Sequence, residues 1–275
     1  MSATATAPVS APSLPGYKSL DFPPISVETS VSPDLLAKML ARTEAIFTTN
    51  ARERPHWTVL TAPRYEPGQF EAHRAQFFQS GRNGVVTLKA FAARAGIDLG
   101  AYCTCFELGC GVGRVTVALA ELFPRVIGAD IAEPMLEEAR RSAESFKVTN
   151  ITWLLTNRFS VYDELAEFDV FFSGIVLQHN PPPVMGYLLT RLLGKLRPGG
   201  LAFFQLPTYR VGYSFAAEKY LAAPSKNNIE MHVFPQRDLL ELVRRCGCRI
   251  LEIREDGGAG ENNAQISNTL FLEKV

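Results

Sequence analysis

The chain has 275 residues, with 28 basic and 28 acidic side chains and so no formal net charge. That balance excludes a generally basic nucleic-acid coat and an acidic, self-repelling tail protein. With 47% hydrophobic and 10% aromatic residues, it can bury a sizeable core as one large domain or one domain with additions. No apolar run approaches the roughly 20 residues needed to span a bilayer, so no membrane is expected. The segment Met1–Gly16 has neither a basic n-region nor an apolar h-region, and the five cysteines are an odd number. A cytoplasmic, reducing setting is the expectation.

Residues 1–34 hold six of the 18 prolines and many Ser, Thr and Ala, and read as a disordered or loosely draped tail. At Ser32-Pro33-Asp34 the character changes: a cap, a first-turn proline and an acid suited to the helix dipole. Leu35, Leu36, Met39, Leu40, Ile46 and Phe47 then recur at helical spacing, with Thr43 at the one polar position on that face. Residues 52–81 are aromatic-rich and read as irregular. A helix is predicted over Gly84–Ala95, stopped by Gly96. Residues 35–101 thus form an N-terminal helical cap.

From residue 102 the pattern alternates. Strands are predicted at Tyr102–Leu108, Arg125–Ala129, Ile151–Leu155, Asp169–Ser173 and Leu201–Leu206, with helices at Val112–Leu122, Glu133–Phe146 and Val184–Leu196 between them. Short apolar strands alternating with helices predict an α/β fold with a mostly parallel sheet covered on both faces. Arg197-Pro198-Gly199-Gly200 reads as a turn. A helix at Gln236–Cys246 precedes strands Arg249–Arg254 and Asn268–Lys274, joined by the Gly-rich loop Asp256–Gly260 into an antiparallel hairpin. Residues 207–234 are long for a connection and read as an insertion.

The strongest local signal is Phe106-Glu107-Leu108-Gly109-Cys110-Gly111-Val112-Gly113-Arg114. An apolar strand runs into three alternating glycines and then a helix, so the backbone turns sharply and a ligand can approach without meeting a Cβ. The spacing departs from Gly-x-Gly-x-x-Gly and lacks the Gly-Lys-Ser/Thr of a P-loop. Asp130 closes the next strand, where a carboxylate can accept both hydroxyls of a ribose.

Glu107-x-Gly109-x-Gly111-x-Gly113, then Asp130, then Phe168-Asp169-Val170, then Leu196-Arg197-Pro198-Gly199-Gly200 resemble the successive motifs of class I S-adenosylmethionine-dependent methyltransferases. The resemblance implies a Rossmann-like, doubly wound, mostly parallel seven-stranded sheet with an antiparallel last strand over residues 102–275. It also implies S-adenosylmethionine as cofactor and S-adenosylhomocysteine as product. Gly109, Gly111 and Gly113, with Cys110 and Arg114 in the same loop, would lie under its methionine part. Glu107 would face its amino group, Asp130 the ribose hydroxyls and Ile131 the adenine. Asn157, in Asn157-Arg158-Phe159, stands where the family often has an acid for the adenine amino group. Ser173 and Gly174 would end the strand beside the reactive sulfonium.

Asn180-Pro181-Pro182 lacks the following aromatic and the register of nucleic-acid amino-methylating enzymes. Leu177-Gln178-His179 instead resembles the small-molecule branch, with His179 as a candidate general base. His232 and Glu230, in the insertion, are further catalytic candidates, and Arg82 is a candidate for the cofactor carboxylate. Cys103-x-Cys105 and Cys246-x-Cys248 have the wrong spacing for structural zinc, so no metal is expected. The expected activity is methyl transfer to a small molecule, at a hydroxyl or carboxylate oxygen of a sugar or secondary metabolite. The rivals are a nucleotide-cofactor oxidoreductase and a non-catalytic protein of the same fold. No nucleic-acid partner is expected. Residues 35–101 carry nine basic against five acidic groups, which points to a small anionic acceptor.

Overall fold

The computed structural model describes residues 23–225, 228–258 and 265–275. Its centre is a seven-stranded sheet. The strands are β2 (Thr104–Leu108), β3 (Arg125–Asp130), β4 (Ile151–Leu155), β5 (Phe168–Ser173), β6 (Leu196–Arg210), β8 (Cys248–Asp256) and β9 (Gln265–Lys274). Their order is β4-β3-β2-β5-β6-β9-β8. Pairing is parallel from β4 to β6, and β9 runs antiparallel to both β6 and β8. The sheet is the one the strand–helix alternation predicted. A small parallel pair, β1 (Ser26–Val27) with β7 (Ser214–Phe215), was not foreseen; it fastens part of the predicted tail to the insertion. The rest of that tail, residues 1–22, lies outside the described residues.

Period-two alternation explains the two covered faces. Phe106, Leu108, Phe171 and Phe204 point to one side, against α7 (Pro182–Gly194) and α9 (Gln236–Arg245). Cys105, Val170, Phe172 and Phe203 point to the other, against α3 (Phe70–Arg94) and α4 (Thr116–Ala120). The predicted turn Arg197–Gly200 is a bulge inside β6. Phe168 pairs with Leu196, and the next pair is Val170 with Leu201. Asp169 braces this corner by accepting from the N–H groups of Cys103 and Thr104 and from Arg197.

The N-terminal third is more helical than predicted. α1 (Pro33–Glu53) starts where expected, with Ser32 accepting from the N–H of Leu35. The stretch read as irregular holds α2 (Pro55–Val59), and α3 begins at Phe70 rather than Gly84. Its buried aromatics are the reason it folds so. Tyr65, Phe70, Phe77 and Phe78 pack together beside Val112 and Met135, a cluster that seats α3 on the glycine loop and on α5 (Glu133–Phe146). His56 stacks on Phe70, with ring centres 3.4 Å apart, and faces Glu138 at 3.6 Å. The helix predicted over Val112–Leu122 begins only at Thr116, because Gly111 and Gly113 take positive φ and hold the preceding residues in a turn. α6 (Ser160–Glu164) and α8 (Ala217–Ala222) complete the chain. No helix among the described residues is long and apolar enough to cross a membrane.

Candidate active site

Parallel strands deliver their carboxyl ends to one edge of the sheet, where ligands of such folds bind. There the chain forms a pocket enclosing about 110 Å³. One wall comes from the strand ends: Glu107, Gly109, Cys110, Gly111 and Arg114 after β2, Asp130 and Ile131 after β3, and Gly174, Ile175, Val176, His179 and Asn180 after β5. The other comes from the cap: Leu40, Thr43 and Phe47 of α1, and Thr58 and Val59 of α2.

Gly109 and Gly111 are required twice over. Their φ angles are 71° and 53°, in the left-handed region that favours glycine. A Cβ at Gly109 would stand 2.3 Å from Cγ1 of Val176, and one at Gly111 2.7 Å from Cγ2 of Val59. Those two valines sit over the loop and narrow the pocket, which is tighter than the roughly 300–1,000 Å³ usual for small-molecule sites.

Asp130 is buried and holds the loop. Its Oδ2 accepts from the N–H of Gly111 at 2.8 Å and its Oδ1 from the N–H of Ala132 at 3.0 Å. Burial lifts its carboxyl to about 6, against those stabilising bonds. Glu107 is buried as well, and its Oε2 has no hydrogen-bond partner. Burial carries its carboxyl to about 7, with Thr116 and Arg114 pulling it down. Arg114 donates to Ser80 at 3.0 Å, and its Nε is buried without a partner. Two opposite charges, each with an unspent atom, therefore face one pocket.

His179 follows β5 in a single 3-10 turn, Leu177–His179. Its Nδ1 lies 2.8 Å from the backbone oxygen of Glu230. A carbonyl only accepts, so Nδ1 carries the hydrogen and Nε2 keeps a free lone pair. Burial lowers the pKa below that of an ordinary imidazole, so the ring is neutral near pH 7.

The other candidates are placed differently. Glu230 and His232 do not line the pocket. Glu230 Oε1 accepts from Arg42 at 3.2 Å, and its Oε2 accepts from Tyr220 at 2.8 Å and meets Nε2 of His232 at 3.1 Å. Nδ1 of His232 in turn meets the hydroxyl of Tyr213 at 2.9 Å. This network fastens the insertion to α1, and reaches the pocket through the Glu230 carbonyl on His179. Arg82 also lies elsewhere, paired with Glu121 at 2.8 Å. Arg158 is exposed, and Phe159 packs on Tyr187 at 4.3 Å. Asn157 donates to Glu44 of α1 at 3.0 Å, Ser173 is buried with its hydroxyl donating to Leu108, and Gly113 packs on Ala139. Sequence reasoning missed Arg42, Phe47, Val59 and Ile175. No local pattern marks them, since each gains its place from a distant partner.

Comparison with known proteins agrees with this geometry. A family model described as a methyltransferase domain matches residues 106–200. A trans-aconitate 2-methyltransferase of Azoarcus sp. is 34% identical over 106 residues, 38% of this chain and 39% of that protein. The chain thus matches well under half the length of this relative. Among solved structures, the magnesium protoporphyrin IX methyltransferase of Synechocystis with bound S-adenosylmethionine has a TM-score of 0.56 at 18% identity, covering 90% of this chain and all of that one. The N-methyltransferase NodS of Bradyrhizobium japonicum, solved with S-adenosylhomocysteine, has a TM-score of 0.55 at 14% identity, over 85% and 98% of the two chains. Over residues 106–200 this chain is thus similar to a methyltransferase domain, and its sheet has the fold of these solved methyltransferases.

Proposed function

We propose that the protein transfers the methyl group of S-adenosylmethionine to an oxygen atom of a small-molecule acceptor. The observation that carries this reading is the meeting, in one pocket, of a charge-matched glycine loop with a neutral imidazole whose free Nε2 is fixed by a backbone carbonyl. The residues suit the cofactor. Glu107 and Arg114, each with an unpartnered buried atom, match an ammonium and a carboxylate. Asp130 retains lone pairs for ribose hydroxyls beside its two backbone bonds. Ile131 offers an apolar surface to the adenine, and the amide oxygen of Asn157 is an acceptor for its amino group.

When bound, the cofactor supplies an electrophilic methyl group on a sulfonium, whose departure leaves a neutral thioether. The chain's part is then to align, to exclude water and to take a proton. Alignment of an acceptor between Phe47, Val176 and His179 turns a bimolecular displacement into an intramolecular one. The cap forms one wall of the pocket, and the water it excludes there strengthens each charge interaction inside. Nε2 of His179 accepts the hydroxyl proton of the acceptor as the new bond forms.

Calorimetric titration of the full chain with S-adenosylhomocysteine tests the reading. Micromolar binding is expected, and absence of binding at millimolar ligand would overturn it.

A further inference from the structure

Two features of the pocket describe its second occupant. The first is its apolar lining around His179. Phe47 stands 5.9 Å from the imidazole, ring centre to ring centre, and Val59, Ile175 and Val176 line the same space. Ile175 is unusual. Its φ is 59°, a left-handed conformation that a β-branched residue rarely adopts. Its N–H is held at 3.1 Å by Oε1 of Gln205, a buried side chain that also donates to Gln178 and Ser267. The strained backbone carries the isoleucine away from the sheet: it lines the pocket and is still 42% exposed. A costly conformation maintained by a buried hydrogen-bond hub, with an apolar side chain as its product, marks a surface built for contact.

The second feature is charge. Among the described residues that line the pocket, the basic side chains are Arg114 and His179. Arg114 is matched by Glu107, and His179 is neutral. The cap arginines, whose surplus charge points to an anionic acceptor when residues are merely counted, do not line the pocket, and several have acidic partners of their own. Arg42 pairs with Glu230 at 3.2 Å, Arg54 with Glu66 at 3.5 Å and Arg94 with Glu252 at 2.9 Å. A carboxylate or phosphate beside His179 would lose its hydration with no unmatched basic side chain of the pocket to replace it.

We propose that the acceptor is an uncharged, largely apolar small molecule that presents a hydroxyl group to Nε2 of His179, and not a carboxylate or phosphate ester. The inference rests on the methyl-transfer reading above. In the step, a lone pair of the hydroxyl oxygen forms the new oxygen–carbon bond to the methyl group. The carbon–sulfur bond breaks, and its electron pair stays on sulfur. The hydroxyl proton passes to Nε2, and the imidazolium later releases it to solvent. The products are a methyl ether, a neutral thioether and a proton.

The test uses the full chain saturated with S-adenosylhomocysteine, titrated with p-cresol, with its anionic counterpart p-toluate, and with trans-aconitate. The cresol is expected to bind at least about tenfold more tightly than the toluate, with trans-aconitate not competing. Equal or tighter toluate binding, binding of trans-aconitate, or binding of none of the three would overturn the neutral-acceptor inference while leaving methyl transfer standing. Failure of S-adenosylhomocysteine itself to bind would remove the underlying reading first. Phe47→Ala, checked for native circular dichroism, should weaken cresol about fivefold and leave S-adenosylhomocysteine affinity unchanged. Unchanged cresol affinity in that variant would also count against the assigned wall.

Discussion

The two walls of the pocket are made in different ways. The strand-end wall is charged, and its geometry follows from backbone pairing. Glu107 sits opposite Gly128 and Phe172, and Asp130 opposite Leu155, in one continuous register. The cap wall is uncharged, and side chains far apart in sequence hold it. Arg42 of α1 reaches Glu230 and the backbone oxygens of Tyr220 and Ala223 in the insertion, and Glu44 reaches Asn157. The first kind of wall places charges to a fraction of an ångström with a few local rules. The second sets the shape and polarity of what is admitted, and can vary without disturbing the sheet. A shared cofactor chemistry with differing acceptors is the outcome to expect from such a division.

His179 is where the walls meet, since it follows β5 but takes its tautomer from the insertion. Its replacement is the largest effect predicted. His179→Gln should lower kcat by about 10²–10⁴ with S-adenosylhomocysteine affinity unchanged, in steady-state kinetics paired with calorimetry. Because burial depresses its pKa, the wild-type rate should stay on its plateau as pH falls to about 6.5 and drop only below that. An inflection above that value would mean that the cap does not close over the ring.

Next in size is Glu107→Gln, which isolates the cost of the charged wall. The folded carboxyl titrates at about 7, against an ordinary value of 4.5. Between those values the folded state holds a proton that the unfolded state has released, so stability falls as pH rises through the window. The cofactor-free variant should therefore exceed wild type by up to about 3 kcal/mol near pH 8, and the gap should shrink near pH 5, in urea denaturation. On the proposed placement, the same carboxylate, once ionised, would attract the cofactor's ammonium. Wild-type cofactor affinity should accordingly rise with pH toward about 7. Asp130→Ala strands the N–H groups of Gly111 and Ala132 and would remove the proposed ribose acceptor, and should weaken S-adenosylhomocysteine about tenfold by calorimetry.

The same division decided what could be read in the sequence. Glu107, the glycine loop, Asp130 and His179 were legible because each stands a fixed few residues from a strand end, and strands announce themselves by apolar runs. The seven-stranded sheet followed from the same signal. The cap was legible only in α1. The buried face of α3 runs through Phe70, Phe77, Phe78, Gly81, Val85 and Leu88 at helical spacing, but the glycine interrupts its apolar stripe and hid half of that helix. Glu230 and His232 looked catalytic in isolation; their partner Arg42 lies about 190 residues upstream, and with it they form a brace. Arg82 looked suited to a carboxylate and has one, on Glu121. Ile175 follows a glycine in an ordinary apolar run, and its inverted φ depends on Gln205 from another strand. Counting charges over residues 35–101 gave a basic segment, whereas none of its arginines lines the pocket.

The smallest effect separates the walls most directly. Val59 of α2 sits over Gly111 where a Cβ would touch it at 2.7 Å, and the pocket encloses about 110 Å³. A cofactor laid along the loop needs that space, so α2 must draw back by the width of a side chain when one binds. Most of the closing contacts of α1 and the insertion lie elsewhere and need not break. Val59→Ala removes the obstruction without touching a charge, at a half-buried position where the loss of packing is modest. S-adenosylhomocysteine should bind about threefold more tightly to this variant, equivalent to ~0.6 kcal/mol of relieved closure. Weaker binding would show instead that Val59 is a contact of the bound cofactor, and that the cap reads the cofactor as well as the acceptor.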